Sequence, residues 1–205
     1  ILDGALTGGG KATLLSGASV QLAGNAAGYA GAWDIKTGAH ADMSAASNLG
    51  TGAVNLDGTL DLAATASGDY TWSNALTGKG TLKVDLDAAN DEVDFAATTG
   101  TGFRGTLDLN RGLMELGGAG TANTDALGRA TLRVGADATG VVLSGSGKNP
   151  LGNLTLEGGP LDFVSAQAAA GTGSLAPDHL SLVDNNGSLP LHGRHTPVDS
   201  QPPPG

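Results

Sequence analysis

The chain has 205 residues, no cysteine and a formal net charge of −10, and this negative charge disfavours nucleic acid and anionic membranes because it repels phosphates. Its 35 glycines argue against a helical fold, since each glycine costs a helix roughly 1 kcal/mol relative to alanine. A hydrophobic content of 40% is nevertheless too high for a disordered chain. The composition therefore predicts a folded, turn-rich domain that does not bind nucleic acid.

Three short motifs occur twice along the chain, in the same order. The pairs are LTGGG at 6–10 with LTGKG at 76–80, GYAGAWDIKTG at 28–38 with GFRGTLDLNRG at 102–112, and NLG at 48–50 with ALG at 126–128. The offset grows from 70 to 74 to 78 residues, as expected if short insertions accumulated in loops. This order predicts two units, over 6–75 and 76–147, and a third partial unit that begins within 149–163.

Within the units, apolar and polar residues alternate over short runs that glycine, asparagine and aspartate interrupt, which is the pattern of short β-strands. The apolar members are Val54, Leu56, Leu60, Leu62, Leu82, Val84, Leu86, Leu107, Leu109, Leu132, Val134, Leu154 and Leu156. The polar positions between them, which we expect to face solvent, include Asp57, Asp61, Lys83, Asp85, Asp108 and Arg133. No segment has a convincing helical period.

A unit of about 70 residues divides into about three turns of 20–25 residues, which suits a β-helix with coils about 4.8 Å apart. A propeller would need a recurrent blade motif that the chain lacks. We therefore predict an all-β fold, a parallel β-helix (solenoid) of roughly eight or nine coils. The predicted organisation is β-helix repeats over 1–165, a terminal coil or junction over 166–192, and a proline-rich flexible tail over 193–205.

The repeated motifs also resemble a known family. GYAGAWDIKTG, GFRGTLDLNRG, LGTGAVNLDGTLDL and ALTGKGTLKV are similar to the repeat of bacterial autotransporter passenger domains of the AIDA/pertactin-like group, and the match spans most of residues 6–163. The chain departs from this pattern at GAHADM (38–43), where alanine, histidine and aspartate replace the alternating aliphatic residues, and over its last 40 residues.

The resemblance implies a right-handed parallel β-helix on the extracellular side of the outer membrane of a Gram-negative bacterium, possibly released from it. It also implies a C-terminal membrane barrel that lies outside this chain. The lack of cysteine is compatible with export, because an early disulfide would hinder threading through a pore. The chain begins without the features of a signal peptide, so any such segment is expected to have been removed or to lie outside this sequence.

The function that the resemblance implies is non-enzymatic adhesion, self-aggregation or biofilm formation. The expected partners are other copies of the chain on neighbouring cells, host surface or matrix proteins, or glycans. The alternatives are a β-helix module that binds or cleaves carbohydrate, and a passive stalk for another domain.

Candidate catalytic and metal-binding residues are few. His40 and Asp42 could form a dyad, but no serine has an activating context, and a solvent-facing pair is the simpler interpretation. His192 and His195 are spaced as H-x-x-H without further ligands. The acidic stretch 85–94 could hold Ca²⁺, yet it lacks the order of known calcium loops, so a solvated loop is preferred. We therefore predict no catalytic residue, no cofactor and no metal site.

The aromatic residues offer a second kind of site, since exposed rings on a solenoid can stack on sugars. Tyr29 and Trp33 occupy the same motif positions as Phe103 and Leu107. Because Leu107 belongs to an alternating apolar run, we expect Trp33 to lie in the core or at a corner rather than in a sugar-binding site.

The remaining candidates are polar residues whose side chains could form hydrogen-bonding ladders on successive coils. Many weak contacts between two such rods would be multiplied by valency. The predicted self-association or ligand face comprises Thr37, Asn48, Thr51, Asn55, Asn74, Thr77, Asn110, Asn123 and Thr124.

Overall fold

A computed structural model describes residues 1–95, 100, 102–116, 129–143, 148–157, 163–164 and 174–183. These residues form short β-strands and a single turn of 3-10 helix at Ala46–Leu49, and the described part holds no helix that could cross a membrane. The strands are β1 (Thr7–Gly8), β2 (Ala12–Leu14), β3 (Ser19–Leu22), β4 (Gly28–Tyr29), β5 (Trp33–Ile35), β6 (His40–Met43), β7 (Val54–Leu56), β8 (Thr59–Ala63), β9 (Tyr70–Trp72), β10 (Leu76–Gly78), β11 (Thr81–Asp85), β12 (Glu92–Phe95), β13 (Gly102–Phe103), β14 (Thr106–Leu116), β15 (Thr131–Leu143), β16 (Lys148–Glu157), β17 (Phe163–Val164) and β18 (Ser174–Val183).

The strands stack in parallel into a solenoid with three sides. The five-stranded sheet has the order β13-β10-β7-β5-β2 and forms one side. The eleven-stranded sheet has the main path β18-β16-β15-β14-β11-β8-β6-β3, which forms the second side. Strand β12 pairs with β9 on one side and with the last residues of β14 on the other, so this sheet also continues onto the third side. The prediction of an all-β fold with parallel, stacked coils is therefore confirmed.

The number of coils differs from the prediction. The structure describes more than one side of the solenoid for about five coils, and the five-stranded sheet contributes one strand to each of them. The sequence predicted eight or nine coils. The main path of the larger sheet extends further and ends at β18. This strand lies within the segment 166–192 and pairs with β16. The difference arises because every described strand after Leu116 belongs to the eleven-stranded sheet, so the later coils have no described strand on the five-stranded side.

The alternating leucines and valines form the core. Leu60, Leu82, Leu107 and Leu132 lie in register on β8, β11, β14 and β15, and each is completely buried. Burial of one such side chain contributes about 1.5–3 kcal/mol relative to its exposure. The polar residues between them point outward, although Asp108 is only 9% exposed because Arg133 lies against it. The predicted alternation is confirmed.

The sequence repeat does not correspond to a whole number of coils. Asp34 pairs with Asn55, Asn55 with Thr77, and Thr77 with Gly102, so three coils on this side lead from residue 34 to residue 102. The counterpart of Asp34 in the second motif is Asp108, six residues beyond Gly102, on the eleven-stranded sheet. One unit therefore makes three coils and about one further side, slightly more than the predicted value of about three turns.

The two copies of the motif nevertheless have the same local structure. Gly28 and Tyr29 pair with Thr7 and Gly8, just as Gly102 and Phe103 pair with Thr77 and Gly78. In each copy the aromatic ring lies against the glycine two residues later. A Cβ atom on Gly31 would lie 2.5 Å from the Tyr29 ring, and one on Gly105 would lie 2.6 Å from the Phe103 ring. The motif therefore encodes a corner in which a ring covers a glycine.

Three large aromatic side chains, Tyr29, Trp33 and Trp72, are in the interior, and the comparison with Leu107 predicted this for Trp33. Tyr29, Trp33 and Trp72 are 4%, 3% and 0% exposed, and their polar atoms bond to backbone carbonyls. Tyr29 meets Trp33 edge to face at 5.6 Å, and Trp72 stacks on Phe95 at 5.8 Å. Trp33 and Leu107 are both buried, but they belong to different sheets because of the fractional repeat. These buried rings are not accessible to a sugar.

Candidate interaction face

The outward side of the five-stranded sheet carries a column of polar residues, here named the Asn55 column, that comprises Thr13, Asp34, Asn55 and Thr77. The neighbouring residues Trp33, Ile35, Val54 and Leu56 point inward, so alternation directs the column outward. The Asn55 amide donates to Asp34 Oδ1 at 3.1 Å, and the Thr77 hydroxyl donates to Asn55 Oδ1, also at 3.1 Å. Three successive coils are thus connected by side-chain hydrogen bonds.

Two lysines cover the acidic member of this column. Lys11 Nζ and Lys36 Nζ lie 2.5 Å and 2.9 Å from Asp34 Oδ2, and Asp34 is only 3% exposed. Hydrogen bonds from Lys11, Lys36 and Asn55 hold the pKa of Asp34 well below its usual range. The two ammonium groups themselves remain about half exposed. The Asn55 column therefore presents a hydroxyl, an amide and two cationic groups to solvent.

Of the nine residues predicted to form a polar face, the structure brings Asn55 and Thr77 into contact. Thr37 is exposed in the turn after β5, and Thr51 is exposed in the segment before β7. Asn110 is the extra residue of a bulge in β14, on the eleven-stranded sheet. Asn123 and Thr124 lie outside the described residues.

Asn48 and Asn74 are not available to a partner, because they are 8% and 2% exposed. The Asn48 amide donates to the Gly24 carbonyl at 2.9 Å, and the Asn74 amide donates to the carbonyls of Gly50 and Gly52 at 2.9 and 2.7 Å. Each side chain thus satisfies backbone acceptors of the preceding coil, as buried polar groups must. These two residues are corrected from surface candidates to internal links between coils.

Sequence reasoning missed a second outward column on the eleven-stranded sheet. Thr59, Thr81, Thr106 and Thr131 are in register on four adjacent strands, and all are partly exposed. The signal for this column was the pair Thr-Leu that begins each of these strands.

The charged residues Asp61, Lys83, Asp108 and Arg133 form the next column, in which Arg133 lies 3.1 Å from Asp108.

The acidic stretch 85–94 forms separate contacts rather than a single ligand cluster. Asp85 lies 3.3 Å from Arg111, and Asp91 accepts a hydrogen bond from the Ala88 amide at 3.0 Å. Burial raises the pKa of Glu92 to about 7, and a hydrogen bond and repulsion from Glu115 add to this shift. Glu92, which lies beside Glu115, therefore keeps its proton to a higher pH than an ordinary glutamate does.

This pair makes stability depend on pH. Because the pKa of Glu92 is higher in the folded state than its ordinary value of 4.5, the folded state binds more protons between pH 4.5 and 7. The free energy of unfolding should fall by about 1 kcal/mol as the pH rises through this window, a value reduced for the partial exposure of Glu92. Urea unfolding at several pH values measures the loss, and the Glu92→Gln variant should remove most of it. An unchanged pH profile in this variant would contradict the prediction.

Another group of titratable side chains lies on β6 and β8. His40 Nε2 is 2.8 Å from Asp42 Oδ1 and 3.3 Å from Asp61 Oδ2. Within the ranges that the structure describes, this is the one set of three histidine, aspartate or glutamate residues whose potential ligand atoms all lie within 4.8 Å of one another. The proximity of His40 to Asp42 follows from the sequence, whereas Asp61 joins them only through the stacking of coils. His192 and His195 lie outside the described residues.

The fold and these outward columns define a parallel β-solenoid with polar faces. No protein-family model and no solved structure match the chain. Two proteins of Escherichia coli strain K12 are similar to it. The uncharacterized lipoprotein YdeK is 33% identical over 147 residues, which is 69% of this chain and 10% of YdeK. The uncharacterized protein YuaQ is 30% identical over 196 residues, which is 94% of this chain and 13% of YuaQ. The chain thus spans about a tenth of the length of these relatives.

Proposed function

We propose that this chain is a segment of a right-handed β-helix in a bacterial cell-envelope protein and that it mediates adhesion between cells by binding other copies of itself without catalysing a reaction. The Asn55 column is the observation that supports this function most directly. A column of residues in register on a sheet repeats its hydrogen-bonding groups at every coil. A second copy can therefore meet it through several equivalent contacts.

The proposed location is the extracellular side of the outer membrane. The similarity to a protein named a lipoprotein supports a place in the cell envelope, because acyl chains hold lipoproteins at membranes. The resemblance of GYAGAWDIKTG and GFRGTLDLNRG to autotransporter repeats supports display outside the cell. Right-handed winding agrees with the strong preference of parallel strand connections for this hand.

Self-association through the Asn55 column has a simple physical basis. A net hydrogen bond between exposed groups contributes only about 0.5–1.5 kcal/mol, so one contact is weak. Many copies on facing cells act together, because the first contact raises the effective concentration for the next. The half-exposed side chains of Lys11 and Lys36 can meet acidic side chains of a second copy.

The experiment compares the aggregation of cells that display the full-length protein with and without residues 1–205. A Thr77→Lys variant should lower aggregation several-fold, because a long charged side chain would replace the hydroxyl that contacts Asn55. The matched control is Thr71→Lys, which changes an exposed threonine of β9 on another side of the solenoid. Control cells should aggregate like cells with the unchanged protein.

Other outcomes would favour another function. Equal aggregation by the Thr77→Lys and unchanged cells would rule out the Asn55 column as the self-binding face. Cells that neither aggregate nor bind host surfaces would indicate a stalk. Cleavage of a glycan by the soluble chain would indicate an enzyme.

A further inference from the structure

We propose that His40, Asp42 and Asp61 form a binding site for one divalent transition-metal ion, with Zn²⁺ as the probe. His40 and Asp42 are two residues apart on β6 and therefore point to the same outward side of the eleven-stranded sheet. Asp61 on β8 is the direct partner of Asp42 in the parallel pairing, so the site spans two coils. All three side chains are partly exposed, and a water molecule can reach the site from solvent.

The distances suit such an ion. Zinc binds histidine nitrogen and carboxylate oxygen at about 2.0–2.2 Å, so two ligand atoms of a tetrahedral site lie about 3.4 Å apart. The imidazole nitrogen Nε2 of His40 is 2.8 Å from Asp42 Oδ1 and 3.3 Å from Asp61 Oδ2. The ligand atoms of Asp42 and Asp61 lie within 4.8 Å of each other, so adjustments of these partly exposed side chains would admit the ion. A water molecule would supply the fourth ligand, as it does in open zinc sites.

A cation would also relieve two unfavourable features of this arrangement. Asp42 and Asp61 face each other across adjacent strands, where like charges destabilise a sheet. The Oδ1 atom of Asp61 is buried and has no hydrogen-bond partner among the described residues. A divalent ion at this point would favour both carboxylates in their charged form.

The ligand set selects the class of metal. Calcium and magnesium prefer six or more oxygen ligands, whereas imidazole suits zinc, copper, iron and nickel. Two carboxylates and one imidazole are therefore a set for a transition-metal ion. Its binding would link β6 to β8 and stabilise the folded state, because the ligands come together only when the coils stack.

The position of Lys83 beside Asp61 provides a direct test of the proposed metal site. Its Nζ atom is 3.8 Å from Asp61 Oδ2, on the strand that follows β8 in the stack, so it competes with a metal ion for the same carboxylate. The Lys83 side chain is 42% exposed and can move into solvent. Its replacement by glutamine should strengthen metal binding, whereas removal of a true ligand should weaken it.

The experiment is calorimetric titration of the full chain with Zn²⁺ at neutral pH, followed by Co²⁺ titration, in which visible absorption reports the coordination geometry. We expect one saturable site. His40→Ala and Asp61→Asn should weaken it by about tenfold or more, and Lys83→Gln should strengthen it by about threefold. Two controls should bind like the unchanged chain: Asp57→Asn, which alters a carboxylate on another part of the solenoid, and the double variant H192A/H195A.

Circular dichroism would establish that each variant is folded. If His40→Ala does not fold, Lys83→Gln and the cobalt spectrum of the unchanged chain still test the site. The absence of saturable binding by the unchanged chain would overturn the proposal and leave only the contacts of His40 with the two aspartates. Binding that His40→Ala retains, or that H192A/H195A removes, would equally place the metal elsewhere.

Discussion

Replacement of Gly105 by alanine is expected to destabilise the solenoid by about 3 kcal/mol, the upper part of the usual range for overpacking. The added Cβ atom would lie 2.0 Å from the Gly80 carbonyl oxygen and 2.6 Å from the Phe103 ring. The Gly80 carbonyl cannot retreat easily, because it accepts hydrogen bonds that hold successive coils together, including one from the Thr106 amide at 2.9 Å. Chemical denaturation followed by tryptophan fluorescence measures the change.

The matched control for this substitution is Gly9→Ala. A Cβ atom on Gly9 would meet nothing within 4 Å, and we expect its free energy of unfolding to change by less than about 0.5 kcal/mol. Gly31→Ala should behave like Gly105→Ala, because its Cβ atom would approach the Gly10 carbonyl and the Tyr29 ring. Equal stability of the Gly105 and Gly9 variants would show that the second glycine of the motif is not required for the corner.

Replacement of Trp72 by alanine is expected to lower the free energy of unfolding by about 4 kcal/mol, the usual cost of truncating a buried aromatic side chain. Trp72 is completely buried, stacks on Phe95 at 5.8 Å, and donates from Nε1 to the Asn74 carbonyl at 2.9 Å. The substitution leaves a cavity on the third side of the solenoid. Trp33, which is also buried, remains as the fluorescent probe for denaturation.

A Trp72→Phe variant separates the contribution of ring stacking from that of the hydrogen bond to the free energy lost in Trp72→Ala. It keeps a ring against Phe95 but removes the hydrogen bond to Asn74, so it should lose only part of the stability that Trp72→Ala loses. Loss of less than about 1 kcal/mol in Trp72→Ala would show that the third side contributes little to the cooperative unit.

The strands and the core could be predicted from the sequence because alternation is a local property. Leu60 and Leu62 are two residues apart, so one strand directs both inward whichever coil lies beside it. The same holds for Tyr29 with Gly31, whose ring and glycine belong to one corner. The burial of Trp33 also followed from its motif position.

The polar sites could be predicted only in part, because they depend on which residues of different coils become neighbours. Asn48 and Asn55 are both asparagines in polar surroundings of the sequence, yet one donates inward to the Gly24 carbonyl and the other outward to Asp34. The Asn48 amide is buried because Asn48 belongs to the 3-10 turn Ala46–Leu49, which places its side chain beside the Gly24 carbonyl of the preceding coil. No local pattern distinguishes these two environments.

The sequence by itself determined that this protein is made of short parallel-stacking strands with a leucine-rich interior, since spacing by two along one strand decides which side chains are buried. Only the tertiary structure decided the number of coils, the rotation of the second motif onto another side, and the meeting of His40 with Asp61. These depend on the length of every corner, which varies along the chain: the coils from Asp34 to Asn55, from Asn55 to Thr77 and from Thr77 to Gly102 take 21, 22 and 25 residues. The register between coils therefore depends on residues that are far apart in the chain, whereas the alternation of apolar and polar residues is a property of each single strand.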